Sequence, residues 1–306
     1  MKQMIVAGAS GFLGSALSRY ARSRGWQVRA LVRRAAQSPE ELSWDPLYGR
    51  LEASMLANAD AVVCLSGAPI APNPWTEARR TTLVTSRVGS VGLLASAIAT
   101  LPASERPTVF LTGSAVGYYG SRGAEVLTEA SAPGHGFLAD LCQAWEDAAQ
   151  PARDAGVRTI HSRTGNVMDA DAGLLGILAP LYRAHLGARL GDGHQYFPTI
   201  WVKDAAAGLM HALESPSLSG PVNLVAPEPV PFGVWHEALQ EALGARSPLI
   251  APRAILSRLG DMGPELLLTS QRVVPAALLD SGFAFEAADA RTIISRALAG
   301  PWVEQN

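Results

Sequence analysis

Seven residues near the amino terminus, Gly8-Ala9-Ser10-Gly11-Phe12-Leu13-Gly14, restrict what this chain can become more than any other stretch. They follow a short apolar run, Met4-Ile5-Val6-Ala7, and open the segment Phe12 to Arg24, which is compatible with a helix that stops at Gly25. A strand, a glycine-rich turn and a helix in that order make an anion cradle. The first glycine allows the tight turn, the second lets backbone approach a diphosphate at the helix amino terminus, and the third lets helix and strand pack closely. A turn shaped by glycines with no ligand is the alternative, and the flanking strand and helix count against it.

The next strand signal, Gln27-Val28-Arg29-Ala30-Leu31-Val32, ends at Arg33 and Arg34, and the first acid after it is Glu40. A dinucleotide fold that prefers NAD places Asp or Glu there to accept from the adenosine ribose. A guanidinium instead complements a 2′-phosphate dianion, so the sequence predicts NADP(H) over NAD(H). Arg33, the first residue past the strand, is the expected ligand.

Further apolar runs at Ala61–Leu65, Thr108–Thr112 and Val157–Ile160 alternate with segments of helical length. Apolar strands separated by helices imply a parallel sheet covered on both faces. The fold class is therefore α/β, a Rossmann-type doubly wound parallel sheet with a smaller C-terminal substrate lobe. After about Gly165 proline, glycine and serine break the alternation, although Ile200–Lys203, a helix Ala205–Glu214 and a strand Val222–Val225 still suit the sheet domain. The expected division is residues 1–165, with 199–226 returning to them, as the dinucleotide domain. Residues 166–198 and 227–306 then form the substrate lobe.

At 306 residues with 48% hydrophobic and 17% charged residues, the chain is too apolar for disorder and large enough for a substantial core. Its 25 basic and 27 acidic residues leave a net charge of −2, which removes any bulk attraction to nucleic acid or an anionic membrane and points to a small-molecule substrate. Two cysteines, Cys64 and Cys142, make no disulfide framework and suit a reducing compartment. The uncharged stretch Val88 to Ser104 reads as a buried crossover helix, and the N-terminal apolar run as a strand and not a signal peptide. The expected location is cytoplasmic. The six histidines show no metal-ligand spacing, so no metal is expected.

Taken together, several segments resemble a known family. The glycine spacing GxxGxxG matches that of extended short-chain dehydrogenases/reductases. Ser43-Trp44-Asp45-Pro46, Val62-Val63-Cys64-Leu65-Ser66-Gly67, Ser86-Arg87-Val88, Gly113-Ser114-Ala115-Val116-Gly117-Tyr118-Tyr119-Gly120, Leu141-Cys142-Gln143-Ala144-Trp145-Glu146 and Gly191 to Pro198 recur in this order in the "epimerase family". These are atypical short-chain dehydrogenases/reductases with human and bacterial members. The end of the chain, about 247–299, is similar to the small domain of unknown function that travels with them. The resemblance implies NADP(H) held by Gly8, Ser10, Gly11, Phe12, Leu13, Arg33, Leu65, Ser66 and Arg87. One departure is Thr199-Ile200-Trp201, where the family often has Trp-Ile-His, so any role of that histidine is lost.

The superfamily's Tyr-x-x-x-Lys motif, in which lysine lowers the tyrosine pKa, is absent: the only lysines are Lys2 and Lys203, and the residue four before Lys203 is Thr199. An unassisted tyrosine titrates near 10, roughly 4 kcal/mol from a phenolate at neutral pH. Candidate catalytic residues are Ser114, which resembles the substrate-orienting serine, with Tyr118 and Tyr119, either of which suits a general acid. One of the two tyrosines is expected to face the site. A serine bonded to backbone and tyrosines that only pack are the alternatives. His194, on a polar glycine-rich loop, and Arg163, at a strand end, are weaker candidates, more simply a solvated histidine and a loop-fixing cation. The expected activity is an NADP(H)-dependent oxidoreductase acting on a small carbonyl. Nucleotide-sugar epimerisation or dehydration, and a non-catalytic NADP(H) sensor, are the alternatives.

Overall fold

The computed structural model describes residues 1–71, 73–300 and 302, which divide into two compact units. The first comprises Met1–Ser114, Leu141–Ser162 and Leu209–Val222; the second comprises Ala115–Asp140, Arg163–Gly208 and Asn223–Asn306.

The first unit is built on β1 (Gln3–Ala7), α1 (Phe12–Ser23), β2 (Gln27–Val32), β3 (Glu41–Ser43), β4 (Ala61–Cys64), α2 (Glu77–Val84), α3 (Ser90–Thr100), β5 (Val109–Ala115) and, from Leu141 onward, α4 (Phe137–Asp147). With the strands Arg158–Thr164 and Gly220–Leu224 they make a seven-stranded parallel sheet. Counted from that last strand, the order is Gly220–Leu224, Arg158–Thr164, β5, β4, β1, β2, β3. In β1 and β4, Met4–Ala7 and Ala61–Cys64 are fully buried, as their unbroken apolar sequence requires of strands covered on both faces. Register pairs Met4 with Ala61 and Ala7 with Cys64 on one side of β1, and Gln3 with Gln27 and Ala7 with Leu31 on the other. The chain thus turns outward in opposite directions from β1 and β4, and the carboxyl ends of those strands form the switch point where such sheets bind ligands. Strand β3 has no apolar signature. It is a three-residue polar edge, a length and composition that discourage pairing with another chain.

Helices α2 and α3 are joined by a π-helical turn, Thr85–Gly89, so that Glu77–Thr100 is one helical run. By length and composition alone it suffices to cross a membrane. Its Val91, Leu94, Ala95 and Ile98 are instead buried in the cluster that holds Ile5, Val62 and Phe110 of the sheet. The stretch read as a crossover helix is therefore one, although helix begins at Glu77 and ends at Thr100. At the far side of the sheet Arg158 gathers carbonyls left over at a helix end. Its guanidinium donates to Ala212, Ser215 and Leu218 at 3.0, 3.2 and 2.8 Å, and to Leu213 at 2.5 Å. The Ala212 and Leu213 carbonyls, in the last turn of the helix Val202–Glu214, have no intrahelical partner and carry the negative end of its dipole.

The second unit contains three two-stranded parallel pairs: Asn166–Met168 with Thr199–Trp201, Ala188–Leu190 with Leu249–Ala251, and Val126–Leu127 with Arg272–Val273. Its core is aromatic. Phe232 and Trp235 lie 5.7 Å apart, with Phe197 edge-on to both. Two carboxylates, the buried Asp204 and the half-buried Glu265, tie segments together. Asp204 accepts from the amides of Glu286 and Ala287, and burial raises its pKa to about 6. Glu265 accepts from the amides of Phe137 and Leu138. Compactness places 115–140 and 199–208 in this unit, whereas the reading in chain order keeps them with the dinucleotide domain. Thr199–Trp201, expected in the sheet domain, forms its own pair with Asn166–Met168.

Arg158→Ala is expected to cost about 2 kcal/mol of unfolding free energy by urea denaturation, since four carbonyls lose a charged donor. Arg158→Lys, which offers a single ammonium, recovers only part of that loss.

Candidate functional site

The glycine loop follows β1 directly. Gly8 has φ +87°, and a Cβ there would lie 2.8 Å from the Leu65 carbonyl carbon and 2.9 Å from the Ser66 nitrogen. A side chain at Gly8 would thus be strained in its backbone and would strike the end of β4. Gly14 sits one turn into α1, where a Cβ would fall 2.1 Å from the Gly8 carbonyl oxygen. Only glycine lets the helix come down onto the loop that precedes it. The Gly11 amide donates to the Gly8 carbonyl at 2.9 Å, closing the turn. Helix α1 then begins with no side-chain cap and no acidic residue in its first turn. Its orphan amide donors and positive dipole end are thus left for an external anion, which suits a diphosphate.

Past β2 the two arginines separate. Arg34 makes a bidentate pair with Glu41, 2.7 and 2.6 Å, and this pairing holds the Glu41 pKa down at about 2. Arg33 is exposed and has no hydrogen-bond or ion-pair partner among the described residues. The neighbouring acid, Glu41, is consumed by one guanidinium, which leaves the other for a ligand. Around the end of β4, Leu65 and Ser66 are half-buried. Arg87, on the π-helical turn, donates to the carbonyls of Leu83 and Ala68 at 3.2 and 2.9 Å and lies 5.1 Å from the Trp145 ring centroid. A Cβ at Gly67 would come within 3.1 Å of the Arg87 guanidinium carbon. Burial lowers the Arg87 pKa, and its acceptors are neutral carbonyls. The residues present therefore fit a phosphorylated dinucleotide.

Ser114 ends β5 and is 4% exposed. Its Oγ donates to Oε1 of Glu146 at 2.7 Å, and Glu146, on α4, is 8% exposed. Sequence reasoning missed Glu146 because the two residues stand 32 positions apart. Neighbouring residues explain how they meet. A Cβ at Gly113 would lie 2.7 Å from the Trp145 ring, so the absent side chain lets α4 press its indole onto β5 and brings the next residue of each element together. Trp44, Trp75, Trp145 and Trp235, read as packing anchors, are all buried.

In the second unit, Tyr118 and Tyr119 have different surroundings. Tyr119 is fully buried; its hydroxyl donates to Asn223 Oδ1 at 2.6 Å and accepts from Arg163 at 3.1 Å. Burial pushes its pKa up to about 12. Tyr118 is half-buried, with the Arg163 guanidinium carbon 3.4 Å from its ring centroid. Arg163 is 3% exposed and also donates to the Glu129 carbonyl, so it braces this loop. His194 is exposed, on the wall of a cavity of about 500 Å³ also lined by Asp192, Tyr196 and Arg253. Cys64 and Cys142 are buried free thiols, and burial raises the Cys64 pKa to about 12. Among the described residues no group of three or more His, Cys, Asp or Glu side chains converges.

Residues 4–224 match the family model described as "NAD dependent epimerase/dehydratase family", and 247–296 match "Domain of unknown function (DUF1731)". The chain is 39% identical over 281 residues to the epimerase family protein ML0860 of Mycobacterium leprae, covering 92% of this chain and 90% of that protein. It is 33% identical over 287 residues to human epimerase family protein SDR39U1, covering 92% and 95%. The crystal structure of human SDR39U1 (isoform 2) with NADPH superposes with a TM-score of 0.88 at 29% identity, over 97% of this chain and 99% of that one. A nucleoside-diphosphate sugar epimerase from Corynebacterium glutamicum gives a TM-score of 0.81 at 32% identity, with 97% of this chain but 58% of that one covered. The expected resemblance and fold class are borne out. With its glycine cradle, its Rossmann-type sheet order and these matches, the chain belongs to the NAD dependent epimerase/dehydratase family.

Proposed function

We propose that this protein binds NADP(H) and is an oxidoreductase acting on a small carbonyl compound. Gly8, Ser10, Gly11, Phe12 and Leu13 would hold the diphosphate, Arg33 the 2′-phosphate, and Leu65, Ser66 and Arg87 the rest of the dinucleotide. The observation that carries the cofactor choice is that Arg33 has no hydrogen-bond or ion-pair partner among the described residues while Arg34 is bound to Glu41. Human SDR39U1 crystallised with NADPH supports it. When bound, the dinucleotide supplies or takes a hydride at the substrate carbon.

Of the three catalytic candidates, Ser114 would orient the substrate oxygen, and of the two tyrosines Tyr118 is the one whose hydroxyl is uncommitted among the described residues. Tyr119 is fully buried, and its hydroxyl is committed on both sides, so it serves the loop's structure. The substrate would be a small molecule, and two free buried thiols fit a reducing cytoplasm. A second reading, epimerisation or dehydration of a nucleotide sugar, is favoured by the likeness to the corynebacterial nucleoside-diphosphate sugar epimerase.

Isothermal titration with NADPH and NADH tests the cofactor assignment. NADPH binds more tightly in the wild type, Arg33→Ala weakens NADPH by about 10- to 100-fold while moving NADH little, and Arg34→Ala has the smaller effect. Equal affinity for both dinucleotides would remove the case for Arg33. A panel of aldehydes, ketones and nucleotide sugars with stoichiometric NADPH then separates the two enzymatic readings, and inertness throughout leaves a dinucleotide-binding protein without catalysis.

The tyrosines should also part in solution. Tyr118→Phe is expected to lower turnover at unchanged melting temperature. Tyr119→Phe strands an Arg163 donor and should cost about 1–3 kcal/mol of stability by chemical denaturation. A stability loss from the first variant and none from the second would reverse the assignment.

A further inference from the structure

We propose that Glu146 accepts, through Ser114, the proton of a substrate hydroxyl, and so supplies the base that a chain without Tyr-x-x-x-Lys otherwise lacks. This rests on the reading above, in which Ser114 touches the substrate. Glu146 acts through Ser114 and is in that sense a positioning residue. A serine hydroxyl has one proton to give and two lone pairs with which to accept. Here the proton is committed: Ser114 Oγ donates at 2.7 Å to Glu146 Oε1. What Ser114 has left to offer is acceptance. A substrate that donates an O–H is therefore matched to it, and a carbonyl oxygen is not while Glu146 is ionised.

The proton path follows from this geometry. As the substrate O–H bond breaks, its proton forms a new bond to Ser114 Oγ, and the electron pair stays on the substrate oxygen. The original Ser114 Oγ–H bond breaks, its proton passes to Glu146 Oε1, and serine is regenerated. The resulting alkoxide carries the electron pair that expels hydride from the adjacent carbon to an oxidised nicotinamide dinucleotide. Run backwards, a protonated Glu146 returns the proton through Ser114 to a carbonyl being reduced.

Three features of the fold favour this role over simple satisfaction of a buried hydroxyl. Both partners are buried, 4% and 8% exposed, where water competes poorly with a fixed carboxylate. Helix α4 carries neither Tyr nor Lys between Phe137 and Asp147, so no phenolate stands in for the base on that helix. The Gly113–Trp145 contact sets the depth of α4 against β5, which holds the carboxylate at hydrogen-bond distance from the end of the strand.

Infrared difference spectroscopy of wild type against Glu146→Gln, without substrate, reads the charge directly. Loss of carboxylate bands supports the proposal, whereas loss of a protonated carboxyl band overturns it. With oxidised NADP and the alcohol of whichever panel substrate the wild type turns over, Glu146→Gln should lower kcat about 100-fold with KM and dinucleotide affinity within about threefold. Glu146→Asp should recover about tenfold, and Glu146→Gln should add nothing to Ser114→Ala. Melting curves of each variant establish that it folds. A normal rate in Glu146→Gln, or additive losses in the double variant, overturns the base while leaving the oxidoreductase reading intact. A wild type inert on the whole panel overturns that reading, and the base with it.

Discussion

The approach of backbone to backbone at Gly8 and Gly14 is the constraint on which the first unit depends. At 2.1 Å from the Gly8 oxygen, even a methyl group at residue 14 would lift α1 away from β1. The strand would then lose the cover of Ala16, Leu17 and Ala21, and the helix amino terminus would no longer point its donors into the turn. The same loop meets the carboxyl end of β4 through Gly8, so the two strands that flank the switch point are held by one steric condition. Binding chemistry and core packing are here a single requirement.

Electrostatics around this cradle works by elimination. The sheet edge places Glu41 where it captures Arg34, and the adjacent Arg33 keeps its charge. Arg87 donates to two carbonyls and faces an indole, neither of which cancels its charge. An exposed guanidinium and a half-buried one, neither in an ion pair with a carboxylate among the described residues, favour an anionic ligand far more than a net charge of −2 suggests.

The end of β5 is held by a different kind of pairing. Deleting one side chain at Gly113 lets Trp145 reach β5, and Ser114 then meets Glu146. In the second unit a single cation, Arg163, braces both neighbouring tyrosines, one through its ring face and the other through its hydroxyl.

Much of the architecture was legible in the residues themselves. Apolar runs marked β1, β4 and the start of β5, because strands buried on both faces favour apolar residues, whereas the strand Arg158–Thr164 buries Thr159, His161, Ser162 and Arg163 and was marked only by the short stretch Val157–Ile160. Polar β3 escaped notice for the converse reason, since an edge strand needs no such pattern. The glycine loop and the arginine pair were equally readable, because steric allowance and formal charge belong to individual residues and their close neighbours. Which arginine stays free, which tyrosine is buried and which acid Ser114 holds could not be read that way. Those outcomes depend on how far a helix slides and turns against a strand many residues away, and only the packed tertiary structure sets that distance.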